Sequence, residues 1–287
     1  MQRASREQVL STYKERDAWW TVFLVDPLAG PLLRLVSPWR FVTPNALTIA
    51  AFALGLGSAW LFYLATWQAL VAGALLFHVS FTLDCMDGKL ARLRGAGSLF
   101  GGWLDYIFDR LRVLACTLGL FGGQFAATDN PVFLYVGVGV VFCDMFRYLN
   151  ALYLKETRRD IRAKLAAASG VSAEQVRLQD ESQLELSAQD AAGDASVVDA
   201  QQSFKQRFGW FAAMRDFLVR RRVRSHLFSG VEFQMAVFIV APLTGWVLPV
   251  VAASVGLLLL VEAAVTYKQY LSVKDVHDQV AAAGSGG

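Results

Sequence analysis

The chain is poor in the residues that staple or ligate small soluble domains. It has three cysteines, Cys85, Cys116 and Cys143, all inside apolar runs. An odd, widely spaced set excludes a disulfide framework and a cysteine zinc site. Net charge is only +3, and no basic tract is built for nucleic acid, which excludes that partner. No compact apolar segment precedes residue 22, so no cleavable signal peptide is expected. Lysine and arginine are also missing within several residues of the turns near Trp67, Asn130 and Trp246.

What is abundant is apolar. Hydrophobic residues make up 55% of 287 positions, and apolar runs of about 20 residues recur, the length needed to cross hydrocarbon. The expected fold is all-α: a polytopic membrane protein with six transmembrane helices plus an N-terminal interfacial helix. Residues 1–45 read as a cytosolic or interfacial segment, with a two-faced helix over 4–22 carrying Trp19 and Trp20. Pro27, Pro31 and Pro38 predict that Phe23 to Val36 is too interrupted for a span. Thr43-Pro44-Asn45 reads as a helix start. Spans are predicted near Ala46–Trp67, Leu70–Leu93, Ser98–Thr128 and Val132–Leu154, so 46–154 holds helices one to four. A connection over 155–227 follows. Lys155 to Lys164 can continue span four, Ala166 to Gln202 reads as flexible or weakly helical, and Phe204 to Leu227 reads as a basic amphipathic helix on anionic headgroups. The last two spans are predicted near Phe228–Trp246 and Val250–Leu271, within 228–271, and 272–287 is a tail. With six spans, the basic segments all fall on one side, which the positive-inside rule makes cytosolic, with both termini there.

One stretch departs from the apolar pattern. Asp84 and Asp87 are three apart and share a helix face, and Asp105 and Asp109, four apart, share another. The Gly-containing break from Arg94 to Ser98 lets the two helices fold back so that the acids meet. Four buried negative charges repel and are costly in a bilayer. A hard divalent cation, Mg²⁺ or Mn²⁺ before Zn²⁺, suits such oxygen donors.

The pattern D-x2-D-G-x2-A-R-x8-G-x3-D-x3-D is complete here, in Asp84, Asp87, Gly88, Ala91, Arg92, Gly101, Asp105 and Asp109. It resembles the signature of the CDP-alcohol phosphotransferases, class I, and the eight positions span 26 residues. That resemblance implies a membrane enzyme that moves a substituted phosphate from a CDP-linked donor to an alcohol and releases CMP. It implies Asp84, Asp87 and Asp105 as metal ligands. Asp109 would be the general base and a further metal contact, with two ions held in all. It also implies a cytidine diphosphate site at Asp84, Gly88, Ala91, Arg92, Gly101, Asn45 and Thr48, and a homodimer; separately, Gly119-x3-Gly123 fits close helix packing.

Other polar residues in the spans are weaker candidates. Arg110, Arg147 and Lys89 are possible contacts for an anionic acceptor or phosphate; Arg112 is similar. Asp144 and Arg147, three apart, are expected to pair with each other, Glu232 to line the cavity, and His78 to be a packing residue, while Glu262 is a lone polar group. Donors in the family are CDP-diacylglycerol or a CDP-linked soluble head group. Lys14, Asp17, Pro27 and Pro44-Asn45-x2-Thr48 resemble the aminoalcohol and inositol-phosphate branches. The D-G-K-x-A-R form resembles the aminoalcohol branch, and Phe100 to Asp105 the inositol-phosphate branch. These features favour the soluble donor slightly and leave the acceptor open. The rival class is an ion or proton transporter, since acids within spans also mark ion paths.

Overall fold

The computed structural model describes residues 3–169, 177–178, 197–198, 218, 221–224 and 228–284. It is helical, apart from a two-residue parallel pairing of Arg177–Leu178 with Val197–Val198. The helices are α1 (Arg6–Leu10), α2 (Asp26–Val36), α3 (Pro44–Tyr63), α4 (Trp67–Arg94), α5 (Leu99–Thr128) and α6 (Val132–Ser169). After them come α7 (Gly230–Thr244, with a π-turn over Ala236–Val240) and α8 (Val247–Gly284). The chain divides into two compact units: Met1–Met145 with Phe228–Leu258, and Phe146–Leu227 with Leu259–Gly287.

Among the described residues five helices, α3, α4, α5, α6 and α8, are long and apolar enough to cross a membrane. The predicted fifth span is the exception. It is the shorter α7, which Gly245 stops in the left-handed region at φ 71°. The N-terminal region also differs from expectation. A Ser5–Gln8 capping box starts α1. The Ser11 and Thr12 hydroxyls then donate back to the Gln8 and Val9 carbonyls, and the helix ends at Leu10 rather than running to 22. Conversely, Phe23 to Val36 is helical despite its prolines. A π-helical turn over Thr21–Val25 runs directly into α2 at Asp26-Pro27, and a buried stripe of Val25, Ala29 and Leu33 outweighs the interior Pro31. Leu28, Leu32 and Leu35 are exposed on its other side. The predictions for Ala166 to Gln202 and Phe204 to Leu227 lie almost wholly outside the described residues.

In the first unit α3 is the central post, packed by both α4 and α5. Small residues permit this. A Cβ on Gly123 would stand 2.5 Å from the Tyr63 carbonyl oxygen and 2.7 Å from that of Phe62, while one on Gly119 would strike the Ala59 carbonyl. The Gly119–Gly123 stripe is therefore filled within the chain. Ser58 donates to the Gly73 carbonyl (2.8 Å) and Ser80 to that of Ala51 (2.6 Å), polar contacts that pin α3 to α4 where no water competes.

In the second unit, Arg147 of α6 pairs with Glu262 of α8 at 3.1 Å, and Asn150 donates to the same carboxylate at 2.6 Å. The expected Asp144–Arg147 pair does not form. One helical turn separates them, and each finds a partner on another helix: Asp144 takes Arg110 of α5 and Gln234 of α7. Glu262, a lone polar group in the sequence, is satisfied by these two donors.

Candidate functional site

The acidic motif sits where α4 ends and α5 begins. Gly95, at φ 59°, closes α4 in the left-handed conformation that glycine adopts without steric cost. The Ala96 amide bonds back to the Ala91 carbonyl at 2.9 Å. Three residues on, the Ser98 hydroxyl accepts the Gly101 amide at 2.9 Å and caps α5. Arg94 fastens this turn from outside. It donates to the carbonyls of Val42 (2.5 Å), Trp39 (2.9 Å) and Ser37 (3.2 Å) in the loop before α3. Sequence reasoning missed that role, although a basic residue just before a C-terminal glycine was a signal.

This geometry brings three of the four acids together. One carboxylate oxygen from each of Asp84, Asp87 and Asp105 lies within 4.8 Å of the others. Asp109, a turn further along α5, is not in that group. Its Oδ2 takes Arg110 at 2.6 Å and its Oδ1 takes Arg112. Arg112, 1% exposed, also reaches Asp84 at 3.2 Å. Arg110 is shared between Asp109 and Asp144, so both arginines next to Asp109 are engaged by carboxylates.

Beside the acids lies a cleft of about 390 Å³, lined by Asn45, Thr48, Asp87, Gly88, Ala91, Arg92, Ser98, Gly101 and Asp105 among others. The Thr48 hydroxyl donates to Asp87 Oδ2 at 2.5 Å. Arg92 Nε donates to the Thr12 carbonyl at 2.7 Å, which ties the segment after α1 to the motif. A Cβ on Gly88 would meet nothing closer than the Arg92 guanidinium at 3.6 Å, so this glycine faces open space. A Cβ on Gly101 would stand 2.9 Å from Asn45 Oδ1, so that glycine lets the Asn45 side chain come close to α5. The start of α5 borders the same cleft through Ser98, Gly101 and Gly102, and Ser98 takes both glycine amides, Gly101 on its hydroxyl and Gly102 on its carbonyl.

Three sequence candidates are placed elsewhere. Lys89, buried, pairs with Asp26 of α2 at 3.0 Å and donates to the Cys85 carbonyl; it is a brace for α2 and does not line this cleft. Glu232 is occupied by the Ser229 amide (2.9 Å), the Ser229 hydroxyl (2.6 Å) and the Trp19 amide (3.1 Å), so it caps α7 and holds the N-terminal segment. His78 packs edge-on against Trp20.

The donor set fits a hard divalent cation. Three carboxylates converge, and Thr48 orients one of them, the kind of supporting contact that metal ligands use. These features define a class: a helical integral membrane protein with an acid-lined polar site at the joint of two apolar helices. Comparison with known proteins adds a domain match. Residues 41–176, just under half of the chain, match the family model for CDP-alcohol phosphatidyltransferase.

Relatives include an archaetidylinositol phosphate synthase of Pyrococcus horikoshii, 35% identical over 96 residues, 33% of this chain and 50% of the relative. A phosphatidylinositol phosphate synthase of Corynebacterium glutamicum is 35% identical over 88 residues, 31% of this chain and 37% of the relative. The matched segment thus spans half or less of these relatives' lengths. A crystal structure of Mycobacterium tuberculosis phosphatidylinositol phosphate synthase with CDP-DAG bound aligns over 88% of this chain and 93% of its own, with 18% identity and a TM-score of 0.43.

Proposed function

We propose that this chain transfers a substituted phosphate from a CDP-linked donor to an alcohol hydroxyl and releases CMP, in the synthesis of a phospholipid or its precursor. The observation that carries this reading is the convergence of Asp84, Asp87 and Asp105 beside a cleft lined by the other motif positions. Asp84, Asp87 and Asp105 would hold Mg²⁺ or Mn²⁺, with Asp109 beside them for a second ion. When bound, such ions supply positive charge that neutralises phosphate oxygens and steadies a departing phosphate. The chain's own residues do the rest. The Arg92 guanidinium, on the cleft wall, receives diphosphate oxygens. Gly88 leaves room for the nucleotide to approach the α4 backbone, and Asn45 and Thr48 bound it from α3. Asp109 accepts the proton of the attacking hydroxyl at a carboxylate oxygen.

The relatives' products carry phosphate on a lipid and on inositol. They therefore favour a lipid-linked donor, CDP-diacylglycerol or its archaeal counterpart, and an inositol phosphate acceptor, against the slight preference that the flanking residues gave for a soluble donor. The site faces the cytosol in this reading, because the basic segments fall on that side if α7 crosses as a sixth span. A homodimer would use a face other than the Gly119–Gly123 stripe. A transporter is the poorer reading: Asp87 lies about two turns from the end of α4 and Asp105 about two turns from the start of α5, away from the midplane position typical of transport sites.

The test is CMP release by purified protein in nanodiscs with Mg²⁺ or Mn²⁺. CDP-diacylglycerol plus inositol phosphate is compared with CDP-linked soluble donors. Activity with the first pair supports the reading, and activity only with soluble donors reverses the donor assignment. Failure to bind any cytidine nucleotide in either metal overturns the function.

A further inference from the structure

We propose that Arg112 is a positioning residue that acts as a resident cation of the acidic motif. Arg112 bridges Asp84 and Asp109 and leaves the divalent ion fewer uncompensated carboxylates to meet. The proposal rests on the reading of Asp84, Asp87 and Asp105 as cation ligands and is independent of the substrates.

Arg112 is the largest fully buried side chain among the described residues. Its Nη1 lies 3.2 Å from Asp84 Oδ1 and its Nη2 3.4 Å from Asp84 Oδ2, a two-point grip, while Nη2 also holds Asp109 Oδ1. Asp84 belongs to α4, and Asp109 and Arg112 to α5, so the guanidinium joins the two halves of the motif. Two aromatic rings flank it. The guanidinium carbon is 5.9 Å from the ring centroids of both Phe77 and Phe81, and Nε has no hydrogen-bond partner among the described residues.

The chain makes room for this arginine at some expense to α3. A Cβ on Gly55 would stand 2.7 Å from Arg112 Cγ and 2.8 Å from Cδ. Gly55 is therefore the notch through which the stem passes, and a glycine inside a helix is otherwise unfavourable. A buried arginine with an unpaired nitrogen and a dedicated notch is a poor device for stability alone, since apolar packing serves at least as well. It is a good device for fixed charge, because guanidinium stays protonated when desolvated and grips carboxylates in a set geometry. With Arg112 in place, Asp87 and Asp105 are the motif acids that form no salt bridge among the described residues.

The test is Mn²⁺ binding to the full chain in detergent without substrate, followed by electron paramagnetic resonance and by thermal unfolding in chelator and in Mn²⁺. Removing the cation while keeping the carboxylates makes the cluster more negative. Arg112→Gln is therefore expected to bind Mn²⁺ about tenfold tighter than the unaltered chain. It also loses thermal stability in chelator and regains it with Mn²⁺, while CMP release falls. Arg112→Lys keeps the charge and is expected to stay near the unaltered affinity. Gly55→Ala pushes the stem aside, alters no charge and touches no carboxylate; it is expected to tighten Mn²⁺ binding several-fold. Mn²⁺ binding by Arg112→Gln that is no tighter than normal overturns the proposal, as does Arg112→Lys matching Arg112→Gln. If Arg112→Gln cannot be purified, Gly55→Ala decides: tighter binding supports the proposal and unchanged binding overturns it. A chain that shows these Mn²⁺ effects yet never releases CMP keeps this proposal and loses the transferase reading.

Discussion

The four motif aspartates divide into two pairs with different surroundings. Asp87 and Asp105 line the cleft and take no salt bridge among the described residues; Thr48 is the neighbour that holds Asp87. Asp84 and Asp109 are gripped by Arg112, and Asp109 by Arg110 as well. One residue type in one motif thus has two electrostatic settings. Burial of uncompensated charge is expensive, so under the proposed function the acids that lack arginines are those that would take a cation from solution. The acids that have arginines are anchored by the chain itself. Asp84 stands in both sets, since it also converges with Asp87 and Asp105.

The sharpest way to break this comparison is Asp105→Asn. CMP release is expected to fall by at least about 10³-fold with the melting temperature nearly unchanged, because no arginine is orphaned. A large stability loss would place Asp105 with the anchored pair. Asp109→Asn is expected to abolish release as well, and in addition to destabilise the fold by about 2 kcal/mol in denaturant unfolding. That figure lies below the cost of a fully buried broken pair because Arg110 keeps Asp144 and Arg112 keeps Asp84. Thr48→Val removes the side-chain hydrogen bond to Asp87, and the affinity for Mn²⁺ should weaken by about 10-fold to 100-fold in a titration without substrate. The smallest effect is expected at Gly88, where Ala meets no protein atom closer than 3.6 Å. Binding of CDP-linked donor should weaken by about tenfold with no thermal shift, and unchanged binding would remove Gly88 from the nucleotide surface.

Much of the scaffold could be read from hydropathy. The starts of α3 and α5 were marked by Thr43-Pro44 and by Ser98, and runs of apolar residues located the long helices, because lipid demands that length. Proline misled at α2: a local rule forbids Pro31 in a helix, but burial of Val25, Ala29 and Leu33 outweighs it. The convergence of acids was legible from i, i+3 spacing, yet the pairing of charges was not. Asp144 and Arg147 share a helix face, but their partners come from α5, α7 and α8. Lys89 lies between motif residues, but its head turns to Asp26 on α2. Arg112 stands three residues after Asp109, so that contact was readable, whereas its reach to Asp84 depends on how α4 and α5 cross.

Sequence alone determined that this chain is built of membrane-length helices and that its acids cluster at one helical joint. Both follow from local periodicity and from the solvent the chain must satisfy. Only the tertiary structure decided which charges meet. A long side chain on a helix can reach several neighbours, and the choice among them is made by packing between helices distant in sequence, as Gly55 of α3 makes room for Arg112 of α5.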